Sequence, residues 1–451
     1  MTRKESKSVS RGFLPWMLPL MLALGAVTVL LSGRDLARMF LELEVGGGIP
    51  MHPAVAWLQR GVSLILVLIA AERLVNHAVQ RRHWPIPLLA LVFVVYWLGT
   101  VASPALLGAH RQLSHEYAYT LLIGLAGLVA TNTEGDRVID AARTALFLFL
   151  LASTAMLAVN PGMVLDTTYN QGLMPGVPRF GGLAAHPVAM GMIAQTFLMC
   201  LWVHPFRRRW LTIAGWILGL GVLFFAQSKT SWIAFVLCSI VLLAVRHGGS
   251  AWLRIGDPRE SEFGIVACVA VMTVAATLVG LFLFADIGSN ASNFLDTDEG
   301  AQLMTLTGRD QIWTVAWQEW HLSPVFGYGP GLWDDAFRAS IQMPNATNGH
   351  NQFMDTLARS GLVGATALVL YAIVLLVLSV RYAKATGGLS LALFLALALR
   401  SVSEVPLLLF GYGTDQFAHL LLLITLASAA SRRVEVTAVE PVRRGPYRVA
   451  S

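Results

Sequence analysis

Long uninterrupted apolar runs, separated by short polar stretches, dominate the chain from end to end. A helix needs roughly 20 apolar residues, about 17 to 25, to cross the hydrocarbon core of a bilayer. On that scale candidate spans fall at Phe13–Leu31, Val55–Val75, Ile86–Val101, Tyr117–Ala130, Ala141–Val159 and Pro187–Val203. The second half adds Leu211–Ala226, Trp232–Val245, Phe263–Ala285, Leu362–Val380, Leu389–Val402 and Phe417–Ala430. The eleventh run is short and carries Arg400 at its end, with Glu404 and Pro406 just beyond. The pattern predicts an all-α polytopic membrane protein of about twelve transmembrane helices.

One polar stretch, Asp286–Ser360, is far longer than an ordinary connection, and loops of that length are functional or disordered. Its Trp313, Trp317, Trp320, Phe326, Tyr328, Trp333 and Phe337 argue against disorder. Within it Ile312, Trp313, Ala316, Trp317 and Trp320 recur at helical spacing, with Asp310, Thr314, Gln318 and His321 between them. That predicts an amphipathic helix lying on the membrane surface or capping the spans. Gly327-Tyr328-Gly329-Pro330-Gly331 then breaks the chain before another short helix. The expected organisation is 1–285 for transmembrane helices 1–9, 286–361 for a large helical outer loop, 362–430 for helices 10–12, and 431–451 for a tail.

Composition agrees with this picture. Hydrophobic residues make up 56% of the chain and charged residues 13%, about half the share usual in a soluble protein. The net charge of +6 could suggest nucleic acid, but the basic residues sit in short clusters between apolar runs. With the N-terminus in the cytoplasm, inner loops hold Arg81, Arg82, Arg137, Arg207, Arg208, Arg209, Arg246, Arg254, Arg381, Lys384, Arg432 and Arg433. Outer loops hold fewer: Arg34, Arg38, Arg111, Arg179, Lys229, Arg309, Arg338 and Arg359. This is the topogenic bias of a membrane protein with both termini cytoplasmic, and no nucleic-acid partner is expected. Met1–Arg11 leads into an apolar run without a convincing cleavage site, so a retained first span is expected. Cys200, Cys238 and Cys268 lie in or at the ends of apolar runs and give neither a disulfide framework nor a zinc spacing.

Cations on the outer face run against the topogenic bias, which makes them the better site candidates. Arg179 precedes Phe180-Gly181-Gly182 and His186 at the mouth of the sixth span, and Arg309 opens the amphipathic helix. Guanidinium groups bind phosphate oxygens bidentately, and a helix N-terminus adds backbone donors; a loop salt bridge, for Arg309 to Asp296, Asp298 or Glu299, is the competing reading. Lys229, in the turn Gln227–Ser231, would meet a phosphate or snorkel. His350 can take a proton from a hydroxyl near neutral pH, or it simply caps a helix start. On a helix starting after Asn348, Gly361 and Gly364 would share its face and admit a lipid chain or a neighbouring helix. Arg111 with His115, and Arg400 with Glu404, are weaker candidates of the same type as Lys229. Of the outer acidic pairs, Asp296-Thr297-Asp298-Glu299 reads as a solvated turn and Asp334-Asp335 is the other; no metal site and no cofactor are expected.

His350-Asn351, nine residues, then Gly361-x-x-Gly364 resembles the H-[NSQ]-x9-G-x-x-[GTY] signature of bacterial O-antigen ligases and fits it at every specified position. Pro324–Gly329 and Gly308-Arg309 followed by Trp313 are similar to what the wider O-antigen ligase and polymerase superfamily carries, and the resemblance covers roughly 141–364. It implies a GT-C-like membrane glycosyltransferase of the bacterial inner membrane with its site on the periplasmic face. The donor would be undecaprenyl-diphosphate-linked O-antigen, the acceptor a sugar hydroxyl of lipid A-core, and the transfer metal-independent and inverting. By the same resemblance His350 would be the catalytic base, and Arg179, Arg309 and Lys229 would hold the diphosphate. Arg111, His186, Tyr328, Asn351, Gly361 and Gly364 are further candidates around the substrate and membrane lipids. O-antigen polymerase and protein O-oligosaccharyltransferase share the donor and stay open as alternatives. A transporter is disfavoured, because no repeat relates the two halves.

Overall fold

The computed structural model describes residues 12–39, 53–168, 174, 176–249, 309–344, 346–411 and 413–439, with side chains to 432. Every predicted apolar segment inside these residues is helical; the ninth, Phe263–Ala285, lies outside them, as do Cys268, Asp296, Asp298 and Glu299. The helices are α1 (Met17–Ser32), α2 (Pro53–Val79), α3 (Pro87–Leu107), α4 (Glu116–Leu128), α5 (Asn132–Val159), α6 (Pro187–Val203) and α7 (Arg209–Phe225). They continue with α8 (Lys229–His247), α9 (Arg309–Leu322), α10 (Asp335–Ser340), α11 (Gln352–Arg381), α12 (Leu389–Ser401) and α13 (Phe417–Val439). Among the described residues, α1, α2, α3, α5, α8 and α11 are long and apolar enough to cross a membrane, while α4, α6, α7 and α12 are shorter apolar helices. One small antiparallel pair, β1 (Leu165–Asp166) and β2 (Arg179–Phe180), sets Asp166 opposite Arg179.

Burial runs opposite to that of a soluble bundle. Most of α6 and α12, and α13 as far as its side chains are described, are buried. Helices around them expose aliphatic rows: Ile213, Ile217, Leu220 and Phe224 on α7, Val236, Ile240 and Leu243 on α8, Val369, Leu370, Ile373 and Val377 on α11. Such rows face hydrocarbon, which gives helices little apolar reason to associate, so close approach at small residues matters more. Gly99 on α3 is an example: a Cβ there would lie 2.7 Å from Ala367 Cβ and 3.2 Å from the Val363 oxygen on α11. The same crossing uses a π turn in α3 at Leu98–Ala102. Pro104 has no N–H to give Thr100, and a proline ring crowds the carbonyl four residues back; the Thr100 oxygen instead accepts from Ser360 Oγ at 3.0 Å.

Connections gather at two ends. At one, Arg73 meets Glu134, Arg143 donates to the carbonyls of His204 and Pro205, Lys384 Nζ reaches Val245 O, and Arg432 meets Asp136. At the other, Arg34 donates to the carbonyls of Met163, Gly182 and Ala185, Gln227 to Val177, and Asn351 to Val402. Alternate connections therefore meet one another, as the alternation of basic residues requires.

One sequence expectation fails here. His350, Gly361 and Gly364 do not share a face of a continuous helix: α11 begins at Gln352 with Asn351 as its cap, and Gly361, at φ 63° and ψ −161°, interrupts it. Pro324–Gly329 passes through the interruption and bonds the backbone groups it frees. Leu362 N donates to Pro324 O (2.8 Å), Val363 N to Val325 O (3.2 Å), Tyr328 N to Ala358 O (2.8 Å) and Gly329 N to Arg359 O (3.0 Å). Backbone groups left unbonded at membrane depth cost several kcal/mol each, so a break needs such a partner. A Cβ at Gly361 would sit 2.3 Å from the Val325 oxygen, which is why glycine is required there.

Candidate active site

The loop carrying His350 is held by bonds from four directions. Gly349 N donates to Asp355 Oδ1 (2.9 Å), Trp313 Nε1 to Gly349 O (2.9 Å), and His350 N to Asn348 Oδ1 (2.8 Å). Asn351 Oδ1 accepts from the N–H groups of Phe353 and Met354, both at 3.0 Å, and its Nδ2 donates to Val402 O at 3.3 Å. Below the loop Asp355 and Arg359 form a buried pair at 3.2 Å, and Arg359 Nη1 also bonds the carbonyls of Pro330 and Leu332. These bonds impose a left-handed backbone on His350, φ 43°, a conformation that costs a non-glycine residue about 1–3 kcal/mol. Strain of this kind persists only where the surroundings fix it, and the imidazole is left partly exposed at 23%.

Its Nδ1 lies 3.5 Å from Glu404 Oε2, an ion-pair distance longer than an ordinary hydrogen bond. Glu404 gets there because α12 stops early: 13 residues rise only about 20 Å. The chain then runs irregularly to residue 411, tied by Leu407 N to Gln352 Oε1 (2.8 Å) and by Thr120 Oγ1 to Leu409 O (2.8 Å). Irregular backbone at such depth survives only inside protein or beside a cavity. Burial raises the Glu404 carboxyl, but His350, Arg400 and Arg309 together outweigh it and hold the group below the usual carboxylate range. The carboxylate is ionised at neutral pH and aimed at one ring nitrogen. At 3.5 Å the His350 Nδ1 makes no hydrogen bond among the described residues; drawn to bonding distance, such a carboxylate would fix the tautomer and leave Nε2 free.

The other candidates assemble on the same end. Arg309 is the first residue of α9; burial lowers its pKa while Glu404 pulls it back up. Arg179 is buried in β2, with Nε 3.4 Å from Ala226 O, at the turn that carries Lys229. Lys229 opens α8 behind its cap Ser228, and the next residue, Thr230, comes within 3.5 Å of Ser403. His186 caps α6, its Nδ1 accepting from Val188 N at 3.1 Å. Burial first, then Arg179 and His350, push its pKa down to about 4 against the pull of Glu404 and Asp166, so its ring is neutral. Three helix N-termini, those of α6, α8 and α11, carry or adjoin His186, Lys229 and His350, and Arg309 is the first described residue of α9. Each such end bears a partial positive charge. Placing cations there is unfavourable unless an anion joins them, and among the described residues neither Lys229 nor Arg309 has an ion pair.

Not every sequence candidate joins this cluster. Arg111 is exposed between α3 and α4. Tyr328 stacks on His110 (4.1 Å) and meets Phe337 edge-on; burial raises its hydroxyl pKa, with Asp334 and Glu319 adding to it. Asn351 serves as cap and tether, while Gly361 and Gly364 are filled by protein: a Cβ at Gly364 would strike Ser360 Cβ at 2.3 Å. Of the acidic pairs, Asp334 caps α10 and Asp335 pairs with Arg338. Among the described residues no three His, Cys, Asp or Glu side chains stand together as metal ligands. The sequence offers Glu404 only as a weaker candidate beside Arg400, without its approach to His350, and Asp355 is not singled out there. Asp355 was findable, since an acid four residues before Arg359 on a helix is a pairing signal.

No curated protein matches the chain. A family model described as O-Antigen ligase matches residues 214–369, a narrower stretch at its N-terminal side than the sequence resemblance. The matched residues take in Lys229, Arg309, His350, Gly361 and Gly364; Arg179, His186 and Glu404 come to them only through the fold. The match supports the chain as a member of the O-antigen ligase family, membrane glycosyltransferases of the ligase and polymerase type.

Proposed function

We propose that the chain is an O-antigen ligase of the bacterial inner membrane, moving a glycan from undecaprenyl diphosphate to a sugar hydroxyl of lipid A-core on the periplasmic side. The observation that carries this reading is the gathering of His350, Arg179 and Arg309 about Glu404 and His186, with Glu404 3.5 Å from His350 Nδ1 and the N-termini of α6, α8 and α11 on the same end. In this reading about twelve spans carry the site, both termini are cytoplasmic, and the end bearing His350 faces the periplasm.

The chemistry is a single displacement. His350 Nε2 takes the proton of the acceptor hydroxyl as its oxygen bonds to the anomeric carbon. The bond from that carbon to the diphosphate oxygen breaks on the opposite face, which inverts the configuration. Undecaprenyl diphosphate leaves with one more negative charge, met by Arg179 and Arg309 with Lys229 assisting. The neutral ring of His186 adds no charge to this set. The imidazolium then returns its proton to water. No nucleotide or metal is assigned a role.

The test is lipopolysaccharide and lipid-linked glycan from a strain relying on this chain or on His350→Ala. A general base contributes about 10²–10⁴-fold, so smooth lipopolysaccharide should vanish while full-length glycan accumulates on its lipid carrier. Accumulation of single repeat units instead points to a polymerase, and unchanged lipopolysaccharide removes His350 from the chemistry. Activity that disappears with a chelator and returns with a divalent ion overturns the metal-free step.

A further inference from the structure

Beyond the cluster that handles the diphosphate, α9 presents a face that the reaction as described does not use. Ile312 and Ala316 are its buried residues. Its tryptophans do not form the buried side: Trp317 is 48% exposed, on a face shared with Asp310, Thr314, Gln318 and His321, all exposed as well. At 3.6 residues per turn Arg309, Trp313, Ala316 and Trp320 form one row, and Trp317 lies beside it. The row starts at the diphosphate candidate Arg309, passes Trp313, whose Nε1 holds the His350 loop through Gly349 O, and ends in a knot of three rings. Trp317, Trp320 and His321 lie with centroids 4.7 to 5.0 Å apart. Two of them are fixed by backbone bonds, Trp320 Nε1 to Pro324 O at 3.2 Å and His321 Nδ1 with Trp317 O at 2.8 Å.

Rigid aromatic faces beside carboxylate, amide, hydroxyl and imidazole groups make a surface for a sugar. The C–H side of a pyranose lies on a ring while its hydroxyls bond the polar neighbours. The rows that α7, α8 and the second half of α11 turn outward are apolar throughout, Phe224 on α7 included, whereas this face sets polar groups beside its rings. We propose that the exposed face of α9, from Trp313 to His321, is the subsite for the acceptor oligosaccharide, which it guides to His350. The acceptor is favoured over the donor glycan because the row adjoins the loop of the base, and the base must touch the acceptor hydroxyl. This subsite rests on the ligase reading above.

The experiment uses the full chain in nanodiscs, with the lipid-free core oligosaccharide released from rough lipopolysaccharide of the host as probe. Ring stacking is worth about 0.5–1.5 kcal/mol. Trp317→Ala should therefore raise KM for lipid A-core about fivefold, with kcat and the KM for the lipid-linked donor unchanged and Trp317→Phe restoring most of the loss. The free oligosaccharide should change tryptophan fluorescence in the parent chain and less in Trp317→Ala and Trp320→Ala. Quenching by brominated phospholipid that the oligosaccharide does not relieve, with an unchanged acceptor KM, makes the face a bilayer anchor and overturns the proposal. A raised donor KM in place of the acceptor KM overturns it too. If His350→Ala retains ligation, the failure lies with the ligase reading; if that variant is dead but Trp317→Ala matches the parent, it lies with the subsite alone.

Discussion

The two ends of the bundle both hold arginines, and they use them differently. At the end bearing Arg73, Arg143 and Arg432, each cation has its own carboxylate: Glu134 at 2.7 Å, Asp140 at 3.2 Å and Asp136 at 2.6 Å. These pairs also bond backbone carbonyls or caps, as Arg73 does at Val129 O. At the His350 end Arg400 has Asp415 at 2.7 Å, but Glu404 is also felt by Arg309, His186 and His350. Charge matched one to one holds helices together. Charge gathered around a shared carboxylate beside helix N-termini has capacity left for an anion. The same contrast runs inside the His350 end, where Arg34 and Arg359 are spent on carbonyls and on Asp355. An arginine on the outer side is thus not by itself a site residue.

Breaking a matched pair should damage folding, and Asp355→Ala is the strongest case. It strands the buried Arg359 and frees Gly349, for an expected loss of about 3–5 kcal/mol, read as a collapse in the yield of monodisperse protein or a large drop in Tm. Arg432→Ala, whose pair with Asp136 is half exposed, should cost below about 1 kcal/mol and leave ligation intact. If the two variants behave alike, burial is not what separates these pairs.

Glu404→Gln sharpens the other side of the comparison. It keeps the shape and removes the charge that orients His350, so ligation should fall about 10- to 100-fold, as for other partners that orient an imidazole, with little change in Tm. An unchanged rate would show that the 3.5 Å contact is incidental.

Helix positions were legible in the sequence because a bilayer demands long apolar runs, and Leu362–Val380 or Pro187–Val203 can be nothing else. Arg179, Arg309 and His350 were legible because they stand against the topogenic bias or inside the one long polar stretch. Glu404 was legible only as a companion of Arg400 past a short span, because its meaning comes from a histidine 3.5 Å away in space but far along the chain. Gly361 misled for a different reason. Eleven residues from His350 is three helical turns, so periodicity alone suggested a shared face. What decides its role is the Pro324–Gly329 segment passing through the helix break, a contact no local pattern encodes. The exposure of Trp317 was not legible, because spacing cannot tell which side of an amphipathic helix finds the core.

A smaller effect should appear on acidification. His186 has an ordinary pKa near 6.5 when unfolded and about 4 when folded, so the unfolded chain binds the extra proton between those values. Stability should therefore decline as pH falls from about 6.5 to 4. His186→Asn, which keeps an acceptor for the α6 N-terminus, should show a flatter Tm profile over that window. Identical profiles would mean the buried ring is not the group responsible.

The most direct measurement is the affinity of purified protein for undecaprenyl diphosphate in the parent, Arg179→Ala, Arg309→Ala and the double variant. Each single change should weaken binding about tenfold or more, and the double variant should lose less than the sum, since both groups act on one head group. Equal affinity in all four proteins would show that the cations at this end do not form a diphosphate site.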